Sequence, residues 1–263
     1  MADEPRPEVK IDTRSSTTVR VEHVDRQSKP PFGTTSVSAD AFKSGPLKGL
    51  GTWVVARAIE SNFNAALADI RGAGGVATSS GGIRDLGAPV DTTRSSTSFH
   101  YTGRAIDLYI YSGMVNPATD PYIVTSDGQL GTWRVFARTA NAEVVPSTLA
   151  ALKFTRVKPP ENSKKKDTVK VAEVEVTDRF FDLTAVFLAH EFHRIPAKES
   201  FLDDPNAREY GAAEWWHFQD ETGLVVGQTT FGSLLRRVRT EAELKGTSPF
   251  NAKDKVWNGK TFA

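Results

Sequence analysis

The chain has 263 residues, of which 39% are hydrophobic and 25% charged, an ordinary balance for a globular protein that buries its own core. Lys and Arg total 33 against 32 for Asp and Glu, which gives no support for a nucleic-acid or strongly anionic partner. There is no cysteine, so disulfides and thiolate metal sites are excluded and any metal must be held by nitrogen and oxygen.

Residues 1–45 are rich in Pro, Ser, Thr and charge and read as an N-terminal extension, with Val19, Val21 and Val24 suited to a short strand. The first residues lack the apolar segment of a secretory signal, and no apolar run nears the roughly 20 residues that span a bilayer. Synthesis in the cytoplasm and no membrane span are therefore expected. The main domain is placed at 46–232. Thr52 can cap a helix running to about residue 71, with Ile59, Phe63, Ala66, Leu67 and Ile70 on one apolar face and Gly72, Gly74 and Gly75 ending it. A Thr/Ser/Gly loop over 78–82 leads to Arg84, and a second loop holds Arg94.

Residues 105–111 alternate as a strand does. Asp127-Gly128 marks a tight turn, and 132–137 and 169–176 read as further strands, with a solvated basic loop at 158–166 between them. Thr177 or Asp178 can cap a second helix that aligns Phe180, Leu183, Phe187 and Leu188 and stops before Pro196. Residues 215–219 and 224–227 suggest a hairpin across 220–223, and 233–244 a short helix within a C-terminal segment, 233–263. This order indicates an α+β domain, with a mostly antiparallel sheet flanked by helices.

Two segments stand apart chemically. The first runs from Ser98 through His100, Gly103 and Ala105 to Asp107; the second is Glu214-Trp215-Trp216-His217. Together they offer two imidazoles and a carboxylate for a metal, with one carboxylate to spare. A catalytic zinc site keeps three protein ligands and an open position, and a nearby carboxylate can take the proton from water held there. Gly103 permits a tight reversal, Ala105 a close approach of strands, and Ser98 a hydrogen bond that orients a ligand. Asp107 in a strand interior is disfavoured unless it has a strong partner. Residues 214 and 217 of one strand would face opposite ways, so Glu214 must sit in a turn before it, for which Gly211-Ala212-Ala213 is suited. His190-Glu191-Phe192-His193 resembles a zincin helix, but its histidines stand at i and i+3 instead of i and i+4 and read as polar positions at a helix end.

The pattern SxHxxGxAxD followed far downstream by ExWH resembles the M15 family of zinc D,D- and L,D-peptidases, over roughly residues 50–230. Ser98, His100, Gly103, Ala105 and Asp107 match the first motif; Glu214, Trp216 and His217 match the second. The doubled Trp looks most like the dipeptidase branch. The resemblance implies a hedgehog/D,D-peptidase-like fold, Zn2+ held by His100, Asp107 and His217, Glu214 as general base and then acid, and Arg84 facing substrate, with Arg94 its competitor. It implies hydrolysis of amide bonds next to D-amino acids in peptidoglycan peptides, as by an endolysin or a D,D-/L,D-carboxypeptidase. The alternatives are a cytosolic D-alanyl-D-alanine dipeptidase and a non-catalytic zinc-binding module of the same fold. An insert at about 112–176 and the N-terminal arm exceed the family core. The arm could engage a phage or injection-particle carrier that delivers the protein to the cell wall.

Overall fold

A computed structural model describes residues 32–40, 51–88, 90, 95–157, 168–203, 205, 208–225, 228–248 and 250. Helices and strands are mixed, and every strand pair among the described residues is antiparallel, in keeping with the α+β expectation. No helix among them is long and apolar enough to cross a membrane. The expected strand at Val19–Val24 and the loop at 158–166 lie outside the described residues.

The first departure from expectation is at the N-terminal end. Residues 34–38, assigned to the extension, form strand β1 (Thr34–Ser38), which pairs with β2 (Thr52–Ala56) and buries Val37 in the core. Thr52 therefore opens a strand, not a helix. The β-branched Val54 and Val55 suit a pleated surface better than a helical one, and Trp53 and Val55 alternate into the core. Helix α1 (Glu60–Gly72) follows one turn of 3-10 helix at Arg57–Ile59. The apolar face is as expected: Ile59, Phe63, Ala66, Leu67 and Ile70 are all buried.

Strand β3 (Ala105–Asp107) is shorter than the alternation suggested. Beyond it the amides of Tyr109 and Ile110 turn to the hydroxyls of Thr78 and Ser80, so side chains replace the ladder and the chain leaves the sheet. β4 (Tyr122–Asp127) and β5 (Gln129–Arg138) join across Asp127-Gly128 as expected. β6 (Ser147–Val157) and β7 (Thr168–Asp178) form a long antiparallel pair within the segment read as an insert.

Neither Thr177 nor Asp178 caps a helix. Both continue β7, and Phe180–Asp182 forms β8 against β5. The cap is Asp182, whose carboxylate accepts the Ala185 amide at 2.9 Å and opens α2 (Leu183–Ala189). Leu183 and Phe187 are buried, but Leu188 is exposed. α1 packs on α2, and Phe63, Phe187 and Phe192 interlock between them, Phe192 on β9 (Phe192–Arg194).

The expected 215–227 hairpin is not formed by the described residues. β10 (His217–Asp220) lies between β3 and β9, and the turn after it is held by the Asp220 carboxylate, which accepts the Thr222 amide at 2.9 Å. Leu224 and Val225 are not strand, and 226–227 lie outside the described residues. α3 (Glu199–Leu202) leads toward β10. The expected helix at 233–244 is two, α4 (Phe231–Leu235) and α5 (Glu241–Gly246), because Thr240 and Glu243 form a capping box that starts a new helix.

Candidate metal centre

The β3–β10 pairing builds the site. Asp107 and His217 are directly opposed in register, so their side chains leave the sheet on one face. His100 comes from a 3-10 turn, Phe99–Thr102, just before β3. Gly103 lets that turn fold back: its φ is +69°, and its carbonyl accepts the Ala56 amide at 2.8 Å.

His100 Nε2 lies 3.1 Å from Asp107 Oδ1 and 3.1 Å from His217 Nδ1, and His217 Nδ1 lies 3.2 Å from Asp107 Oδ1. The three donor atoms thus form a nearly equilateral triangle. His100 and His217 are each 4% exposed, so this is an interior cluster. Its tautomers are dictated by what lies behind each ring. His100 Nδ1 stands 2.6 Å from the Gly82 carbonyl, which can only accept, so the proton is on Nδ1 and Nε2 has a lone pair. His217 Nε2 stands 3.3 Å from Gln219 Oε1, which leaves Nδ1 bare in the same way. Asp107 Oδ1 is buried and makes no hydrogen bond. Three lone-pair donors converge on one point with no proton to share. That arrangement is costly alone and natural around a cation. The group can bind a metal ion.

The electrostatics agree. Burial pushes the His100 imidazole below its usual range, against the pull of Asp107, so the ring is neutral and fit to ligate. Burial opposes ionisation of Asp107; positive charge at the facing imidazoles holds its carboxyl well below the usual range, and a cation held between the three groups would do the same where the rings are neutral. The Asp107 backbone is fixed as well: its carbonyl accepts from Trp53 Nε1 at 3.0 Å and from the Ser80 amide at 2.9 Å.

Glu214 sits in the turn before β10, as its distance from His217 required. The turn follows a 3-10 segment at Tyr210–Ala212, and Glu214 itself adopts φ +57°. It is 7% exposed and lines the same cleft of about 120 Å³ as His100 and His217. Its carboxylate is outside the donor triangle and pairs with Lys198 at 2.5 Å. Arg84 also lines the cleft; its amide donates to the His100 carbonyl at 3.0 Å and its guanidinium lies over the Tyr101 ring. Arg94 lies outside the described residues.

Other expected residues take different places. Ser98 accepts from the His100 amide at 3.4 Å, so it caps the 3-10 turn, while the ring is oriented by Gly82. Trp215, Trp216 and Phe218 are buried in the core beneath the site. His190 follows α2 and bonds Asp69 at 2.7 Å, and His193 lies on β9; neither belongs to the metal cluster. Three participants escaped the sequence reading. Gln219 had a signal, because two residues past His217 on a strand shares its face. The Gly82 carbonyl and Lys198 had none. A larger cavity of about 220 Å³ lies elsewhere, between Arg57, Arg104 and Arg237, and contains no member of the metal cluster.

Comparison with protein-family models, with curated proteins and with solved structures finds no match to this chain.

Proposed function

We propose that the protein is a zinc metallopeptidase of the M15 kind, hydrolysing amide bonds next to D-amino acids in peptidoglycan peptides. The observation that supports this best is the division of labour among four side chains. Two imidazoles and Asp107 converge as potential ligands, while Glu214 stays outside their triangle yet lines the same cleft as the two histidines. Donors around a four-coordinate zinc at ~2.0–2.1 Å stand about 3.3 Å apart, close to the spacing of this triangle. With cysteine absent, the nitrogen and oxygen set suits that ion.

Zinc, when bound, supplies Lewis acidity to a carbonyl and to a water in the cleft. Glu214 then takes the proton of the attacking water on its carboxylate and returns it to the leaving amine. Arg84 donates to the carbonyl oxygen as negative charge grows there, a contact of a kind worth ~3 kcal/mol. His100 and His217 are held in orientation from behind, because the Gly82 carbonyl and Gln219 Oε1 each meet the outer ring nitrogen. A purely structural metal site would gain nothing from a buried carboxylate held in a left-handed turn beside it.

The test is digestion of purified muropeptides by the zinc-loaded protein, with products read by mass spectrometry, beside a Glu214→Ala variant. The expected result is release of fragments cut next to a D-residue, with Glu214→Ala keeping its zinc and losing nearly all turnover. If the wild type cuts nothing, or the variant stays within a few-fold, the reading fails.

A further inference from the structure

We infer that Lys198 is a positioning residue that holds the Glu214 carboxylate in place beside the metal ligands; this rests on the peptidase reading for its catalytic consequence, though not for its geometry. The starting point is the backbone of Glu214. Its φ of +57° is unusual for a residue with a side chain, and such a conformation persists only where surrounding contacts over-determine it. Main-chain contacts hold this turn, among them the His217 amide to the Glu214 carbonyl at 3.2 Å, the Ala213 amide to the Tyr210 carbonyl at 3.0 Å and Trp133 Nε1 to the Ala213 carbonyl at 2.5 Å. They fix the turn but not the side-chain torsions of Glu214. A long carboxylate could still swing.

Lys198 supplies that last constraint. It is tied to the same turn twice: its amide donates to the Ala212 carbonyl at 2.9 Å, and its ammonium meets Glu214 Oε1 at 2.5 Å. Lys198 itself is anchored. The neighbouring Ala197 amide donates to Gly131, Ala197 is buried, and Phe201 roots α3 in the core one turn later. The lysine therefore reaches the carboxylate from a rigid base. The pair matters because Glu214 is 7% exposed, and a polar group so buried is costly unless a partner satisfies it. Both residues line the cleft with His100, His217, Arg84 and Gln219, so the carboxylate is pinned at the wall of the metal site.

This role differs from two others the same lysine could have. A residue that binds substrate would lower affinity when removed. A residue that only stabilises the fold would show no preference for a second cation. Removing one that positions the base lowers the rate of proton transfer, and its role is served in part by any cation of similar reach. A misplacement of about 1 Å at a reacting group can cost ~100-fold in rate.

The experiment uses the full zinc-loaded chain. Lys198→Met, Lys198→Arg, Glu214→Gln and the double variant Lys198→Met/Glu214→Gln are compared in thermal unfolding, zinc content and muropeptide cleavage. The two single shifts in Tm should not add, the double variant losing clearly less than their sum. Lys198→Met should retain zinc, lose about 100-fold in kcat with KM within about threefold, and be rescued at least tenfold by Lys198→Arg. Additive Tm shifts overturn the inference whatever the reaction. So does a KM effect with kcat retained, or arginine doing no better than methionine. A wild type that cleaves no muropeptide refutes the peptidase reading instead, and the unfolding cycle alone then decides whether Lys198 holds Glu214.

Discussion

Replacing Gly103 by alanine should damage the metal centre without touching a ligand. A Cβ built on Gly103 would stand 2.8 Å from the Ala56 nitrogen and 3.4 Å from its Cα and Cβ. The obstacle is backbone, not a flexible side chain, and the Gly103 carbonyl is itself bonded to that same Ala56 amide at 2.8 Å. Relieving the clash therefore means pulling β2 away from the turn. The conformation adds to this: φ of +69° costs an L-residue about 1–2 kcal/mol. Overpacking costs about 1–3 kcal/mol. The sum is about 3 kcal/mol or slightly more, which at ~2–4 °C per kcal/mol is a fall of about 6–12 °C in Tm. Gly103 lies between His100 and Asp107, so the shift should also open the donor triangle, whose edges are 3.1–3.2 Å. Zinc affinity should drop by ~10-fold or more, in the range seen when groups that support ligands are lost. Urea unfolding of the metal-free protein and competition with a chromophoric chelator measure the two effects. A variant within ~0.5 kcal/mol of wild type, the ordinary scatter of neutral surface changes, would refute the close-approach argument.

Further outcomes follow from the same geometry. His217→Ala should lose its zinc, as read by metal analysis after dialysis, since it removes one corner of the triangle; full occupancy would discard the ligand assignment. Arg84→Ala should keep zinc but lower kcat/KM by roughly a hundredfold or more, and Arg84→Lys should recover little of it, because a compact ammonium on a flexible stem does not reproduce the directed donors of a planar guanidinium. Arg94→Ala should stay near normal in that same assay, and the reverse pattern would exchange the two roles. Substituting His190 and His193 together by Gln should leave zinc content unchanged and cost at most ~1 kcal/mol in unfolding, because the partner of His190, Asp69, is largely exposed.

The site was far more legible than the fold around it, for a physical reason. His100 and Asp107 are seven positions apart with Gly103 and Ala105 between them, so the first half of the centre is nearly local chemistry. Asp107 announced itself by being out of place in a strand. Even the awkward position of Glu214 could be reasoned out, since strand alternation forbids 214 and 217 from sharing a face and the chain solves this with a left-handed turn. Tertiary pairing was not legible in this way. The stretch after His217 reads as a hairpin because adjacent strands separated by a turn usually pair, yet β10 takes β3 and β9 instead. Those partners give it Asp107 across one edge and bring in the chain that leads to Lys198 at the other.

The elements misread near β2 and β8 share one cause. Thr52 and Thr177 are good caps in isolation, and the apolar residues after each fall at helical spacing. In both places neighbouring strands compete: β1 captures β2, while β6 holds Thr177 in β7 and β5 then captures β8, so each helix is delayed until the strand partners are used up. The delay has a consequence for the site. Because 52–56 is a strand, the Ala56 amide is available to the Gly103 carbonyl and Val54 to the amide of Ile83, and these two bonds draw the His100 turn and the Gly82 loop onto one edge. A helix starting at Thr52 would have used those backbone groups internally. The Gly82 carbonyl that fixes the His100 tautomer would then have nothing to hold it in place.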